Sequence, residues 1–546
     1  MAESEPRSIK PKRALKACDF CHRRGRGCRI DPADNSRCLT CLDFGVSCTW
    51  NRPSAKRGKP RGSKGSGVPW TLSPDKHGSR ELIQDLLINF FESVYPVLVL
   101  PDRRVSTMID VPRVCTVHEQ SFMHHWHTKQ IPSGRASYAR LMSVCALSAC
   151  RIASGATFTP REISCAVTPN VYLDEAIAAI PGTFGESLEF EYLQAINLVC
   201  LTARECGNAA LLQQYLGLYH GALAEQGYYD ERRWPSGIST IEREERRRLY
   251  WHMYRLEIHT SLVLGHAVRC PELQSAVAYP TLPDQDFTES MENLEWLTGW
   301  NFITDIYRGI EHLISYFRNK RTTIHLDNRC LSTAFLIDYD PQEKIVRPLN
   351  LAYSNLPLRF KKAQRVSQDI RLNRCGFQTA NIIATYQLLR MLSFTSNDTT
   401  FHEACRTALE LIEEISSIPM EYMRAMGLAM IQELSGLGHI LSSFIKKELP
   451  RSDYQHLRMV MVCMAELLEN LATSIPAAAW VCNRLREYVE QIDRYFELRP
   501  LQEDAADHEL GRVDEVAVQD FDPEIFIPLE LLQRIPWDWT EQRQMT

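Results

Sequence analysis

The strongest constraint on this chain is a run of cysteines near its start. Cys18, Cys21 and Cys28 are followed by Cys38, Cys41 and Cys48, two copies of the spacing C-x2-C-x6-C within 31 residues. Two tetrahedral zinc ions need eight ligand positions, and six thiolates supply them if two sulfurs bridge both metals. The first two cysteines of each copy stand about one helical turn apart, and the third returns from the loop beyond. Each copy therefore reads as a metal-nucleated helix and turn. A purely structural zinc knot or a disulfide knot is the competing account, disfavoured because the rest of the chain looks intracellular.

This pattern resembles the fungal binuclear zinc cluster, the DNA-binding module of galactose-regulator type. The resemblance implies two zinc ions per chain. Cys18, Cys21, Cys28 and Cys38 would hold one, and Cys38, Cys41, Cys48 and Cys18 the other, with Cys18 and Cys38 bridging.

The two copies differ in chemistry between their second and third cysteines. The first carries His22, Arg23, Arg24, Gly25, Arg26 and Gly27; the second carries Leu42, Asp43, Phe44, Gly45, Val46 and Ser47. The first is cationic and suits phosphates and base edges, where arginine pairs with guanine O6 and N7. The second is neutral to acidic and would pack or face solvent. Arg23, Arg24 and Arg26 are therefore the expected base readers, supported by His22 and Arg29. The family usually has lysines where this chain has Gly25 and Gly27, which places the usual CGG-type target in doubt. Gly25 and Gly45 share a position in the two copies, which predicts a left-handed residue ending each short helix.

Charge sharpens the division. The whole chain carries a formal net charge of -5, yet residues 1 to 65 hold 16 Lys and Arg against 6 Asp and Glu. Polyanion binding is expected in this arm. Basic clusters at Lys10, Lys12 and Arg13 and at Lys56, Arg57, Lys59 and Arg61 favour the nucleus. The second cluster, rich in Gly and Pro, also resembles an AT-hook whose Arg57 and Arg61 would enter the minor groove. A plain basic linker is the alternative. No heptad seam follows: the apolar segment from Leu82 to Phe91 is at most three turns long, so a homodimer would have to form through the large domain or a very short helix, and monomeric binding stays open.

From about residue 80 to 500 the pattern is helical almost throughout, which predicts an all-α body. Leu249, Met253, Leu256 and Val263 share one helix face, entered through Glu242, Glu244 and Glu245. Leu457, Met461, Met464, Leu468 and Leu471 form a second stripe, and Val481, Leu485, Tyr488, Ile492 and Tyr495 a third. These are expected to face a core. The body resembles the fungal-specific middle homology region of binuclear-cluster regulators, through Phe90 to Pro96, Leu141 to Ala149, Glu245 to Trp251, Ser261 to Gly265 and Tyr279 to Pro283. That likeness runs to about residue 330 and implies a regulatory body with a metabolite inducer as a conceivable ligand. The cluster and linker also resemble activators of purine (urate) utilisation, without naming an inducer.

The twelve other cysteines are scattered singly and read as reduced core residues. Neither a signal peptide nor an apolar run of about 18 residues is present, so no membrane span is expected. From Glu503 to Glu541 acids alternate with Phe521, Phe526, Ile527, Leu529, Trp537 and Trp539. That texture suits a coactivator-binding activation segment, or a tail anchoring onto the body. An enzyme is not expected: His118 and Glu119 lack a second histidine at metalloprotease spacing, the histidines 124, 125 and 127 diverge, and no phosphate loop or nucleophile elbow occurs.

The expected organisation is thus an all-α chain with a basic tail (1–17), a binuclear zinc cluster (18–48), a basic linker (49–79), a helical regulatory domain (80–500) and an acidic-hydrophobic tail (501–546). The expected function is sequence-specific binding of double-stranded DNA in the nucleus, activating RNA polymerase II genes of a catabolic pathway. A zinc-cluster repressor or scaffold-type corepressor is the alternative.

Overall fold

The computed structural model describes residues 17–23, 28–31, 34, 36–50, 70–91, 119–156, 167–184, 188–281, 290–325, 340–367, 370–393, 401–444, 450–473 and 475–498. Arg24, Arg26, Arg57, Arg61, both basic clusters, Tyr95, Pro96, Leu282, Pro283, Cys115, Cys165, Cys330 and the tail from Glu503 lie outside the described residues. Chain contacts divide the protein into two units, Met1–Pro69 and Trp70–Thr546. Among the described residues no strand forms, only two isolated bridges, so the fold is all-α as expected.

The first unit holds two short helices, α1 (Asp19–Arg23) and α2 (Leu39–Asp43). The second holds sixteen among the described residues. Small helices α3 (Pro74–His77), α4 (Arg80–Asn89) and α5 (Glu119–His127) lead to α6 (Arg135–Ala153), α7 (Pro169–Ala179), α8 (Phe190–Glu205) and α9 (Ala209–Gln226). Then come α10 (Thr240–Leu264), α11 (Ser290–His325), α12 (Arg347–Asn355), α13 (Ile370–Ser393) and α14 (Phe401–Ser416). Last are α15 (Met420–Met426), α16 (Leu428–Ser443), α17 (Arg451–Ala472) and α18 (Ala477–Leu498). Helix α6 lies along α7 and α8, α11 along α13, and α17 along α18, while α16 reaches back to α8. One continuous apolar cluster runs from Ile83 to Ile492.

Local chemistry explains the boundaries. Ser79 caps α4 by accepting from Leu82 N at 3.2 Å, and Ser239 caps α10 by accepting from Glu242 N at 3.1 Å. Helix α4 is ten residues long and buries Ile83, Leu86 and Leu87 in the body. The stripe on α17 is buried at all five positions, each worth roughly 2 kcal/mol of apolar burial. On α18, Val481, Leu485 and Ile492 are buried and Tyr488 half-buried, whereas the Tyr495 side chain lies outside the described residues.

Helix α10 departs from a simple amphipathic reading. Its apolar face is buried as expected, but so are Glu244, Arg246, Arg248, Arg255 and Glu257 on other faces. All of these but Arg255 have an oppositely charged partner within 4.0 Å, which offsets the cost of burying them. Arg247 forms a fork to Glu231 with both N–O distances at 2.8 Å, and Glu244 accepts from the Thr281 N–H at 2.8 Å. Trp251 Nε1 donates to Ala278 O at 3.0 Å, and Tyr279 packs edge-on to Trp251 at 4.9 Å. The arginine-rich motif of this helix therefore straps the segment 265–281 onto the body. Glu257, fully buried, accepts from Arg269 N at 2.9 Å and from its guanidinium at 2.7 Å.

Burial lowers the His259 imidazole to about 4, with Arg204 acting in the same direction, and lowers His252 well below the usual range. A histidine depressed on folding binds its proton more readily in the unfolded chain, so stability falls as pH drops from about 6.5 to about 4. For His259 the loss is about 3 kcal/mol. His259→Gln is expected to flatten the pH dependence of urea unfolding in that window, and an unchanged slope would refute it.

Candidate metal centre

The two N-terminal helices carry the cysteines by the same device. In each, the first cysteine precedes the helix and its sulfur accepts the backbone N–H of the second: Cys21 N to Cys18 Sγ and Cys41 N to Cys38 Sγ, both 3.4 Å. Cys18 N donates to Cys28 Sγ at 3.0 Å, drawing the third cysteine inward. Helix α2 closes with Gly45 at φ 60°, where Gly45 N bonds Leu42 O at 3.1 Å and Val46 N bonds Cys41 O at 3.0 Å. That paired bonding uses the left-handed residue expected at Gly45 and sends the chain back toward Cys48, while Gly25, its counterpart in the first copy, lies outside the described residues.

The halves are fastened together by backbone. Ile30 bridges Cys38, Leu39 N donates to Arg29 O at 2.9 Å, and Asp31 N to Arg37 O at 3.1 Å. The ends are clasped where Asp19 N meets Thr49 O at 2.8 Å and Thr49 Oγ1 donates to Asp19 Oδ2 at 2.9 Å. Sequence reasoning missed this clasp, since an acid in a first helical turn says nothing of a partner thirty residues on.

The sulfurs form two groups, Cys18 with Cys21, Cys28 and Cys38, and Cys18 with Cys38, Cys41 and Cys48, all atoms within a group lying within 4.8 Å. Cys18 and Cys38 belong to both. Measured separations are 3.8 Å for Cys18 to Cys38, 3.7 Å for Cys21 to Cys38 and 3.5 Å for Cys18 to Cys41. A tetrahedron with Zn–S bonds of about 2.3 Å has edges of about 3.8 Å, so this donor set fits zinc in spacing as well as in kind. None of the six is in a disulfide. These are the only two such groups among the described residues.

Protonation of the bare cluster supports the same chemistry. Burial pushes the Cys21 thiol up to about 12 and Cys48 to about 11, neighbouring sulfurs contributing, and raises Cys41 further. At Cys18 burial also opposes ionisation, but the Cys21 N–H and the surrounding thiols overcome it and bring the group down to about 6. Left alone, Cys18 is drawn toward the thiolate, whereas ionising Cys21, Cys41 and Cys48 calls for positive charge among the sulfurs, which divalent cations would supply.

Of the expected DNA contacts, His22 and Arg23 lie on α1 and Arg29 is exposed beside Cys28. Arg24, Arg26, Arg57 and Arg61 fall outside the described residues. On the second copy Leu42, Phe44 and Val46 face solvent, Phe44 resting 5.8 Å from the Phe20 ring. None of the nine remaining described cysteines is in a disulfide, and no helix is long and apolar enough to cross a membrane among the described residues.

About two zinc ions per full-length chain are expected by elemental analysis. Cys38→Ala, which removes a sulfur common to both groups, should lose both ions, while Cys48→Ser should retain more metal. Equal retention by the two variants would contradict shared ligation.

No curated protein and no solved structure matches the chain. Residues 112–356 match the family described as the fungal specific transcription factor domain, a span that includes the motifs at 141–149, 245–251, 261–265 and 279–283 and leaves Phe90 to Pro96 outside. The chain thus joins a transcription-factor domain of fungal type to an N-terminal cysteine cluster.

Proposed function

We propose that the protein is a nuclear, sequence-specific DNA-binding activator of RNA polymerase II genes in a catabolic pathway. The observation that carries the reading is the pairing, in one chain, of two cysteine groups sharing Cys18 and Cys38 with a transcription-factor domain at 112–356. Zinc held by Cys18, Cys21, Cys28, Cys38, Cys41 and Cys48 supplies rigid cross-links and charge, and no reaction takes place on it. The arm around it is cationic, with 16 Lys and Arg against 6 Asp and Glu in residues 1 to 65. Its lysines and arginines neutralise phosphates and give salt-dependent affinity. Arg23, Arg24 and Arg26, helped by His22 and Arg29, read base edges, and Arg57 and Arg61 follow the minor groove.

The helical body regulates. It has one extensive core, and the arginine run of α10 is committed to internal partners. A metabolite bound in the body governs when the acidic-hydrophobic tail meets a coactivator.

Selection of sites from random duplexes by the full-length protein tests the reading. Wild type should enrich a defined sequence, with log-log salt slopes of about one per phosphate neutralised. Arg24→Ala should broaden the enriched sequence and change the slope by no more than about one unit. Failure of the wild-type protein to enrich any sequence would overturn the assignment.

A further inference from the structure

Among the described residues of the body four arginines are almost wholly buried: Arg151, Arg246, Arg248 and Arg255. Three have carboxylates beside them, Arg151 with Glu205 at 3.1 Å, Arg246 with Glu242 at 2.6 Å and Arg248 with Glu244 at 4.0 Å. Arg255 has none among the described residues. It is 9% exposed, and its guanidinium lies 4.1 Å over the ring of Trp300. An isolated buried charge is costly, and a ring face offsets only part of that cost.

Arg255 borders a half-open cavity of about 90 Å³ lined from α8, α10, α11, α13, α15 and α16. The same wall carries Trp300, 2% exposed with Nε1 unpartnered, and Glu433, 5% exposed with Oε2 unpartnered. Arg204 brings a second cation, its Nε also without a partner, and Phe377 and Asn381 complete an aromatic and amide lining. Burial raises the Glu433 carboxyl to about 8, so near neutral pH it is a donor and leaves the cavity's charge positive. Three buried polar groups lack partners around one space that is large enough for several waters or a small organic molecule.

We infer that this cavity binds a small flat organic anion of aromatic-carboxylate type, its charge on Arg255 and Arg204 and its ring against Trp300. The site deepens the regulatory reading above, on which its role as an effector site rests, but binding itself is independent of DNA.

The test is thermal unfolding and calorimetry of full-length protein at fixed ionic strength, with benzoate, benzamide and inorganic phosphate as probes. Benzoate should bind one per chain and raise the Tm by on the order of 2 °C at millimolar concentration, while benzamide and phosphate leave it unmoved. Arg255→Gln should weaken benzoate at least about tenfold, one charge-assisted contact being worth that much. Should that variant fail to fold, Arg255→Lys keeps the charge, loses the flat guanidinium over Trp300, and should weaken benzoate several-fold. Equal binding of benzamide overturns the anion assignment, response to phosphate alone overturns the flat ring, and no binding of benzoate to wild type overturns the site. Duplex selection on the same preparation separates the two questions, since benzoate binding without DNA binding sinks only the transcriptional reading.

Discussion

Six sulfurs drawn to within a few ångströms of one another are the constraint on which the N-terminal unit depends. A segment of 31 residues cannot bury enough apolar surface to hold a fold by itself, and in this unit Leu42, Phe44 and Val46 stay exposed. Among the described residues of this unit the buried set consists of Cys18, Cys21, Cys28, Cys38 and Cys41, so the core is made of cysteines. Sulfur at separations of 3.5 to 3.8 Å is too distant for disulfides and well spaced for a shared metal pair. Backbone N–H groups of Cys18, Cys21 and Cys41 already point at sulfur, so the helices and the cluster form together.

Two arginine-rich runs show how context decides what the same residue type does. On α1 and just beyond it Arg23 and Arg24 stand in a strongly basic arm, while on α10 Arg246, Arg247 and Arg248 stand among acids. Arg246 meets Glu242, and Arg247 meets Glu231 and Glu244 at 2.6 to 2.8 Å. The charges of Arg246 and Arg247 are thus already offset by carboxylates. A basic motif counts toward nucleic-acid binding only where its charges remain unspent.

What could be read from sequence was whatever is local. The C-x2-C-x6-C spacing places each sulfur relative to its own helix, and the left-handed Gly45 follows from the matched glycines of the two copies. The stripes on α10, α17 and α18 were legible for the same reason, because a helix repeats over a few residues. Burial of α10 on all sides was not, since Glu231 and Arg269, which offset its charges, and Thr281, which donates to Glu244, lie in other segments. The cavity was hidden altogether: its walls come from residues 204 to 433, and no short pattern links Arg255 to Glu433.

The position of Arg204 decides how a ligand in that cavity can be felt elsewhere. Its Nη2 shares Glu205 Oε1 with Arg151 Nη1, both at 3.1 Å, and the Arg151 guanidinium also donates to Ala425 O on α15. Glu205 in turn lies against Gly427, whose φ of 63° turns α15 into α16, the helix carrying Glu433. An anion bound as proposed above would meet an Arg204 whose carboxylate neighbour has a second partner in Arg151, so a shift of Arg204 toward it would leave Glu205 paired.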